Sequence, residues 1–109
     1  MFDIEEYADQ NGSSPFALWF AELDAQAAAK VTVFLTRLAQ GNTSNVKRLQ
    51  AGVLELKIDF GPGYRVYFGR EGERLVILLG GGTKKRQQRD IENAVSRWAD
   101  YRKRVAGKV

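Results

Sequence analysis

The chain has 109 residues, 17 Lys+Arg against 13 Asp+Glu, and neither His nor Cys. One domain spanning residues 1–109 is expected, because chains usually split only beyond roughly 250 residues. The two absences exclude disulfides, thiol nucleophiles, thiolate zinc and iron–sulfur sites, a Ser-His triad and imidazole acid–base pairs.

Charge is spread unevenly. Residues 1–56 carry 4 basic and 7 acidic side chains, whereas residues 57–109 carry 13 basic and 6 acidic. A basic half suggests a polyanionic partner such as nucleic acid. No apolar run is long enough to span a bilayer. The acidic start Met1-Phe2-Asp3-Ile4-Glu5-Glu6 lacks the apolar stretch of an export signal, so no membrane association and a cytoplasmic location are expected.

Phe2 to Tyr7 alternates apolar and polar residues, as a short strand does. Ser13 or Ser14 can cap a helix from Pro15 to Leu23, with Pro at its first position. Asp24 caps a second helix, Ala25 to Gln40, whose stripe holds Ala27, Val31, Phe34, Leu35 and Leu38. Gly41 ends it. Val46 to Leu49 reads as an edge strand.

Val53 to Phe60 and Tyr64 to Gly69 then form a hairpin around Gly61-Pro62-Gly63. Even positions are apolar, so Glu55, Lys57, Asp59, Arg65 and Tyr67 share an opposite, polar face. A three-residue loop pairs Phe60 with Tyr64, Asp59 with Arg65 and Lys57 with Tyr67. Arg74 to Leu79 is a central strand, and Gly80-Gly81-Gly82 ends it. Thr83 then caps a final helix striped by Ile91, Ala94, Val95 and Trp98, with residues 106–109 frayed. The expected architecture is an α+β domain with a small, mostly antiparallel sheet and helices on one face.

Two features carry candidate chemistry. One is the polar hairpin face. The other is Gly80-Gly81-Gly82-Thr83-Lys84-Lys85-Arg86, where glycines before a helix start can offer N–H groups to phosphate. Three cations at a positive helix end call for an anion. Phe16, Trp19, Phe20, Phe34 and Trp98 lie on helical stripes and are expected in the core. Tyr67 and Tyr101 lie off those stripes and are candidate stacking residues. No metal site is expected, because no carboxylate cluster has ligand spacing.

Four segments carry a resemblance. They are Ser14-Pro15-Phe16-x-x-Trp19-Phe20, Gly52-Val53-Leu54-Glu55-Leu56-Lys57-Ile58, Phe60-Gly61-Pro62-Gly63-Tyr64-Arg65-Val66-Tyr67-Phe68 and Leu78-Leu79-Gly80-Gly81-Gly82-Thr83-Lys84. Together with Gln87-x-x-Asp90-Ile91-x-x-Ala94 they resemble the RelE/HigB-like toxins, and more narrowly the phage-derived addiction-module killer proteins. The resemblance implies a βααβββα toxin of a type II toxin–antitoxin pair. Such a toxin cuts mRNA on translating ribosomes without metal or cofactor, through attack of the RNA 2′-OH on the adjacent phosphate. It also implies a helix-turn-helix antitoxin as partner, and operator DNA only through the antitoxin complex.

Carried over by position, the family's sheet lysine falls on Lys57, its Gly-Tyr-Arg arginine on Arg65, and its basic pair on Lys84 and Lys85. Two positions depart: a second sheet lysine of some relatives is Glu55 here, and a catalytic tyrosine of some relatives falls near Ile91. Arg65, Lys84 and Lys85 are the candidate stabilisers of a charged phosphorane. Glu55 or Lys57 is the candidate base, Tyr67 a stacking or acid group, and Arg86 and Arg89 are candidate RNA-binding cations. Two alternatives share this fold: a catalytically weak nucleic-acid-binding partner in autorepression, and a toxin directed at gyrase.

Overall fold

Local signals set the helices. Ser14 Oγ accepts from the Ala17 N–H at 3.0 Å, and Asp24 Oδ1 accepts from Ala27 at 2.8 Å, so each cap satisfies an otherwise orphaned donor. The computed structural model describes residues 1–107. In chain order it contains β1 (Asp3–Glu6), α1 (Pro15–Ala21), α2 (Ala25–Ala39), β2 (Val46–Arg48), β3 (Leu54–Ile58), β4 (Tyr64–Glu71) and β5 (Leu75–Thr83). A 3-10 turn over Lys84–Arg86 leads into α3 (Gln87–Ala106). Ala106 closes that helix, and Lys108 and Val109 of the expected frayed end lie outside the described residues.

The strands form one sheet in the order β1-β5-β4-β3-β2. β1 runs parallel to β5 and every other pair is antiparallel, so the expected α+β class holds. The helices, however, divide between the two faces. Leu56, Ile58, Val66, Phe68, Val76 and Leu78 meet Phe16, Val31 and Leu38 of α1 and α2. Val53, Tyr67, Ile77 and Leu79 meet Ala94 and Trp98 of α3. Strand alternation sends the two sets to opposite sides, and the apolar stripe of α3 needs a surface of its own to cover. The helical aromatics Phe16, Trp19, Phe20, Phe34 and Trp98 pack into these two cores, as expected. Among the described residues no helix is long and apolar enough to cross a membrane.

Three expected details change. The β3–β4 register pairs Ile58 with Tyr64, Lys57 with Arg65 and Glu55 with Tyr67. The loop is therefore residues 59–63, closed by the Gly63 N–H donating to Phe60 at 3.0 Å. A shift of two residues keeps every side chain on its expected face.

The triglycine does not end its strand, since Gly80, Gly81 and Gly82 pair with Tyr67, Val66 and Arg65. A Cβ on Gly81 would collide with the Trp19 indole, and one on Gly82 with the Asp90 carboxylate. These glycines let helix side chains rest directly on the sheet, so the segment is not a phosphate-cradling loop.

Thr83 makes no side-chain cap, because it closes β5 and the 3-10 turn intervenes before α3.

Gly69 in β4 plays the same part beneath Trp98, whose ring a Cβ would strike. Gly69→Ala is expected to lower stability by about 1–3 kcal/mol, as overpacking in a core does. Urea unfolding measures this, and an unchanged midpoint would contradict the seating of α3 on this strand.

Candidate nucleic-acid interface

On the odd-numbered face of the β3–β4 hairpin, Glu55, Arg65 and Tyr67 face α3, and Lys57 faces water. Glu55 is 3% exposed, Arg65 6% and Tyr67 0%. The expectation of a solvated polar face is corrected here: α3 covers it. Charged groups under a helix need partners, and they have them. Arg65 Nε lies 3.0 Å from Glu55 Oε1. This is an ion pair without hydrogen-bond alignment at Nε. Gln87 Nε2 donates to the same Glu55 oxygen at 3.0 Å. Arg65 therefore pairs diagonally with Glu55, and Asp59, its expected partner, stays exposed in the loop.

The hairpin loop ties Arg65 to the start of α3. Arg65 Nη1 donates to the Gly63 carbonyl at 3.3 Å, and the backbone N–H of Lys84 donates to that same carbonyl at 3.0 Å. Lys57 sits opposite Arg65 in the register, with its side chain exposed. Lys57, Arg65 and Lys84 are thus brought to one end of the sheet. Lys85, Arg86 and Arg89 are exposed around the same helix start.

Tyr67 is placed elsewhere. Its hydroxyl is buried and, among the described residues, has no hydrogen-bond partner. Burial raises its pKa most, the Glu55 and Asp90 carboxylates raise it further, and only Arg65 opposes. A neutral phenol with no exposed surface cannot stack on a base or hand a proton to a ligand while α3 is seated. Glu55, paired and covered, is likewise no free base. Ile91 is half-buried against the second core. Tyr101, the other stacking candidate, lies parallel to Trp98 with ring centroids 5.4 Å apart.

Three residues join this polar layer from α3: Gln87, Asp90 and Arg97. Arg97 Nη1 donates to the Leu79 carbonyl at 2.9 Å, and burial lowers its pKa. Asp90 rests on Gly82 in the first turn of the helix. Sequence reading left these three without roles. Their signal was available: Asp90 and Arg97 fall in phase with Ala94 and Trp98, on the inward stripe of α3.

Burial raises the Asp90 carboxyl, against the opposing pull of Arg86, Arg97 and Arg89. A carboxyl raised by folding holds its proton more tightly in the native state. Its ionisation then costs stability, a cost absent below the unfolded pKa and complete above the folded one. Asp90→Asn removes that cost. Its stability relative to wild type is expected to improve between about pH 3 and about pH 7. Urea unfolding at the two pH values decides; a constant or opposite difference would contradict the buried placement.

An uncharacterized protein of Haemophilus influenzae is 42% identical over 80 residues, which covers 72% of this chain and 81% of that protein. The profile of the phage-derived Gp49-like proteins matches residues 18–102, from inside α1 to the last turns of α3. The matched stretch contains the whole hairpin, the basic turn and the polar layer beneath α3, and the chain belongs to the phage-derived Gp49-like family, a family of addiction-module killer and toxin-like proteins.

Proposed function

We propose that this protein is the toxin of a type II toxin–antitoxin module and a metal-free mRNA endoribonuclease that acts on translating ribosomes. The observation that carries the reading is the placement of Lys57, Arg65 and Lys84, from β3, β4 and the 3-10 turn after β5, at one end of the sheet. A phosphate there would meet the preset charges of Lys84 and of Arg65 beneath it, with the Lys57 amine alongside, before the extra charge of the transition state develops. Preorganised cations of this kind favour the transition state without reorganising at the moment of reaction.

In this reading the RNA 2′-oxygen attacks the adjacent phosphorus and the 5′-oxygen of the next nucleotide leaves. Arg65, held by Glu55 and 6% exposed, supplies its charge from beneath the phosphate. Lys84 and Lys85 hold the same group from the helix side. Lys57, the exposed amine beside the reacting phosphate, takes the 2′-OH proton when in its neutral form, and water protonates the departing 5′-oxygen. Arg86 and Arg89 grip flanking phosphates, a contribution that weakens with salt. Glu55 and Tyr67 support the site from beneath.

One observation favours a second reading. Of the hairpin's candidate proton-transfer groups, only Lys57 is exposed, since Glu55 and Tyr67 are buried. A protein with so few accessible acid–base groups suits RNA or DNA binding with weak catalysis, as an autorepression partner of an antitoxin.

Expression of the wild type is expected to arrest growth and leave new mRNA ends within translated codons. Lys57→Ala and Lys84→Ala alter exposed side chains. Each is expected to lower cleavage about 100-fold or more, the usual effect of removing one transition-state contact. Mapping of mRNA ends checks this. Unbroken translation under the wild type, or cleavage unchanged in both variants, would contradict the ribonuclease reading; binding without cuts would favour the second.

A further inference from the structure

A separate concavity lies at the opposite end of the sheet. It has a volume of about 680 Å³ and is bordered by β2, the turn before β3, the end of β4 and the later turns of α3. That size is typical of ligand pockets. Three arginines from three elements line it: Arg48, Arg70 and Arg102. Glu71 is its one carboxylate. Among the described residues none of the three arginines forms an ion pair. Arg70 lies over the Phe2 ring at 4.6 Å and Arg102 over Trp98 at 6.0 Å. Stacking of this kind fixes a guanidinium plane and leaves N–H groups for an acceptor, with Arg70 Nη2 also donating to the Glu73 carbonyl at 3.5 Å.

We infer that this cleft docks an acidic peptide segment of a protein partner, its carboxylates on the three arginines and an apolar side chain against Leu49 and Leu54. The inference rests on the reading that the chain works with an antitoxin. Charge complementarity argues for an anionic occupant, because like charges held together are stabilised by one. The aromatic geometry argues against RNA. Trp98 is stacked by Tyr101 on one side and close to Gly52 and Gly69, so no open ring face is left for a base, and single-stranded RNA sites depend on such faces. The cleft is also remote from the phosphate site. Arg70 stands five residues along β4 from Arg65, roughly 17 Å at strand spacing.

The test uses two fluorescein-labelled probes on the full chain: a short Glu/Leu peptide and a short oligouridylate. The Arg70→Glu/Arg102→Glu variant is expected to weaken peptide binding at least about tenfold, equal to about 1.4 kcal/mol. The Lys84→Ala/Arg89→Ala variant should leave peptide binding within about twofold. Oligouridylate should show the reverse pattern. Arg70→Gln/Arg102→Gln, which adds no repulsion, should fall between wild type and the Glu pair, and matching urea midpoints show that the variants fold. The inference is overturned if the peptide does not bind the wild type, if the cleft variants bind it unchanged, or if oligouridylate is what the cleft variants lose. Neither probe needs to be cut, so a failed ribonuclease reading leaves this result intact.

Discussion

Arg65 is set beneath a helix, and a guanidinium taken out of water needs a compensating charge. Glu55 supplies it at 3.0 Å, and both side chains are almost fully covered. The cost of burying two ions is large, and it is offset only where geometry and further hydrogen bonds are good. Gln87 on the Glu55 oxygen and the Gly63 carbonyl on Arg65 provide those bonds. The pair is not an economical way to make a core, since apolar residues of similar volume would often serve as well or better. What it gives is an immobile cation whose position is set from two strands and one helix.

The rest of the architecture follows from seating α3 above that pair. Trp98 rests on Gly69 and Asp90 on Gly82, where any Cβ would intrude. The two contacts hold the helix near both ends of its path across the sheet. The helix start is then fixed through Lys84, whose N–H shares the Gly63 carbonyl with Arg65. In this way the exposed basic turn and the buried arginine belong to one rigid unit. Lys57, one strand away, completes the cationic end without being covered itself.

Much of this was legible in the residues. Alternation over Leu54, Leu56 and Ile58 assigned the faces of the hairpin correctly, and the spacing of Ile91, Ala94 and Trp98 assigned the inward side of α3. What alternation cannot give is depth. A face holding Glu55, Lys57, Arg65 and Tyr67 reads as wet, and only the placement of α3 shows that three of the four are covered. The hairpin register moved by two because the loop takes in residues 59–63, with Phe60 ring-stacked on Tyr64 at 6.5 Å. The triglycine misled for a related reason. Glycine is a turn signal in isolation, but here it marks where Trp19, Asp90 and Arg97 approach a strand. Asp90 and Arg97 themselves were visible as charges in phase with an apolar stripe, a pattern that signals a polar layer under a helix.

A double-mutant cycle on Glu55 and Arg65, read by urea unfolding, tests the central claim most directly. Glu55→Leu alone strands a buried cation and is expected to cost about 3–5 kcal/mol, and Arg65→Met alone strands a buried carboxylate at a similar cost. Replacing both, Glu55→Leu with Arg65→Met, is expected to recover most of that stability while the proposed phosphate site loses its arginine. On the proposed toxin reading, growth arrest should therefore disappear in a well-folded protein. If the two single losses simply add, to within about 0.5 kcal/mol, the residues are not coupled and the ion pair does not organise the site.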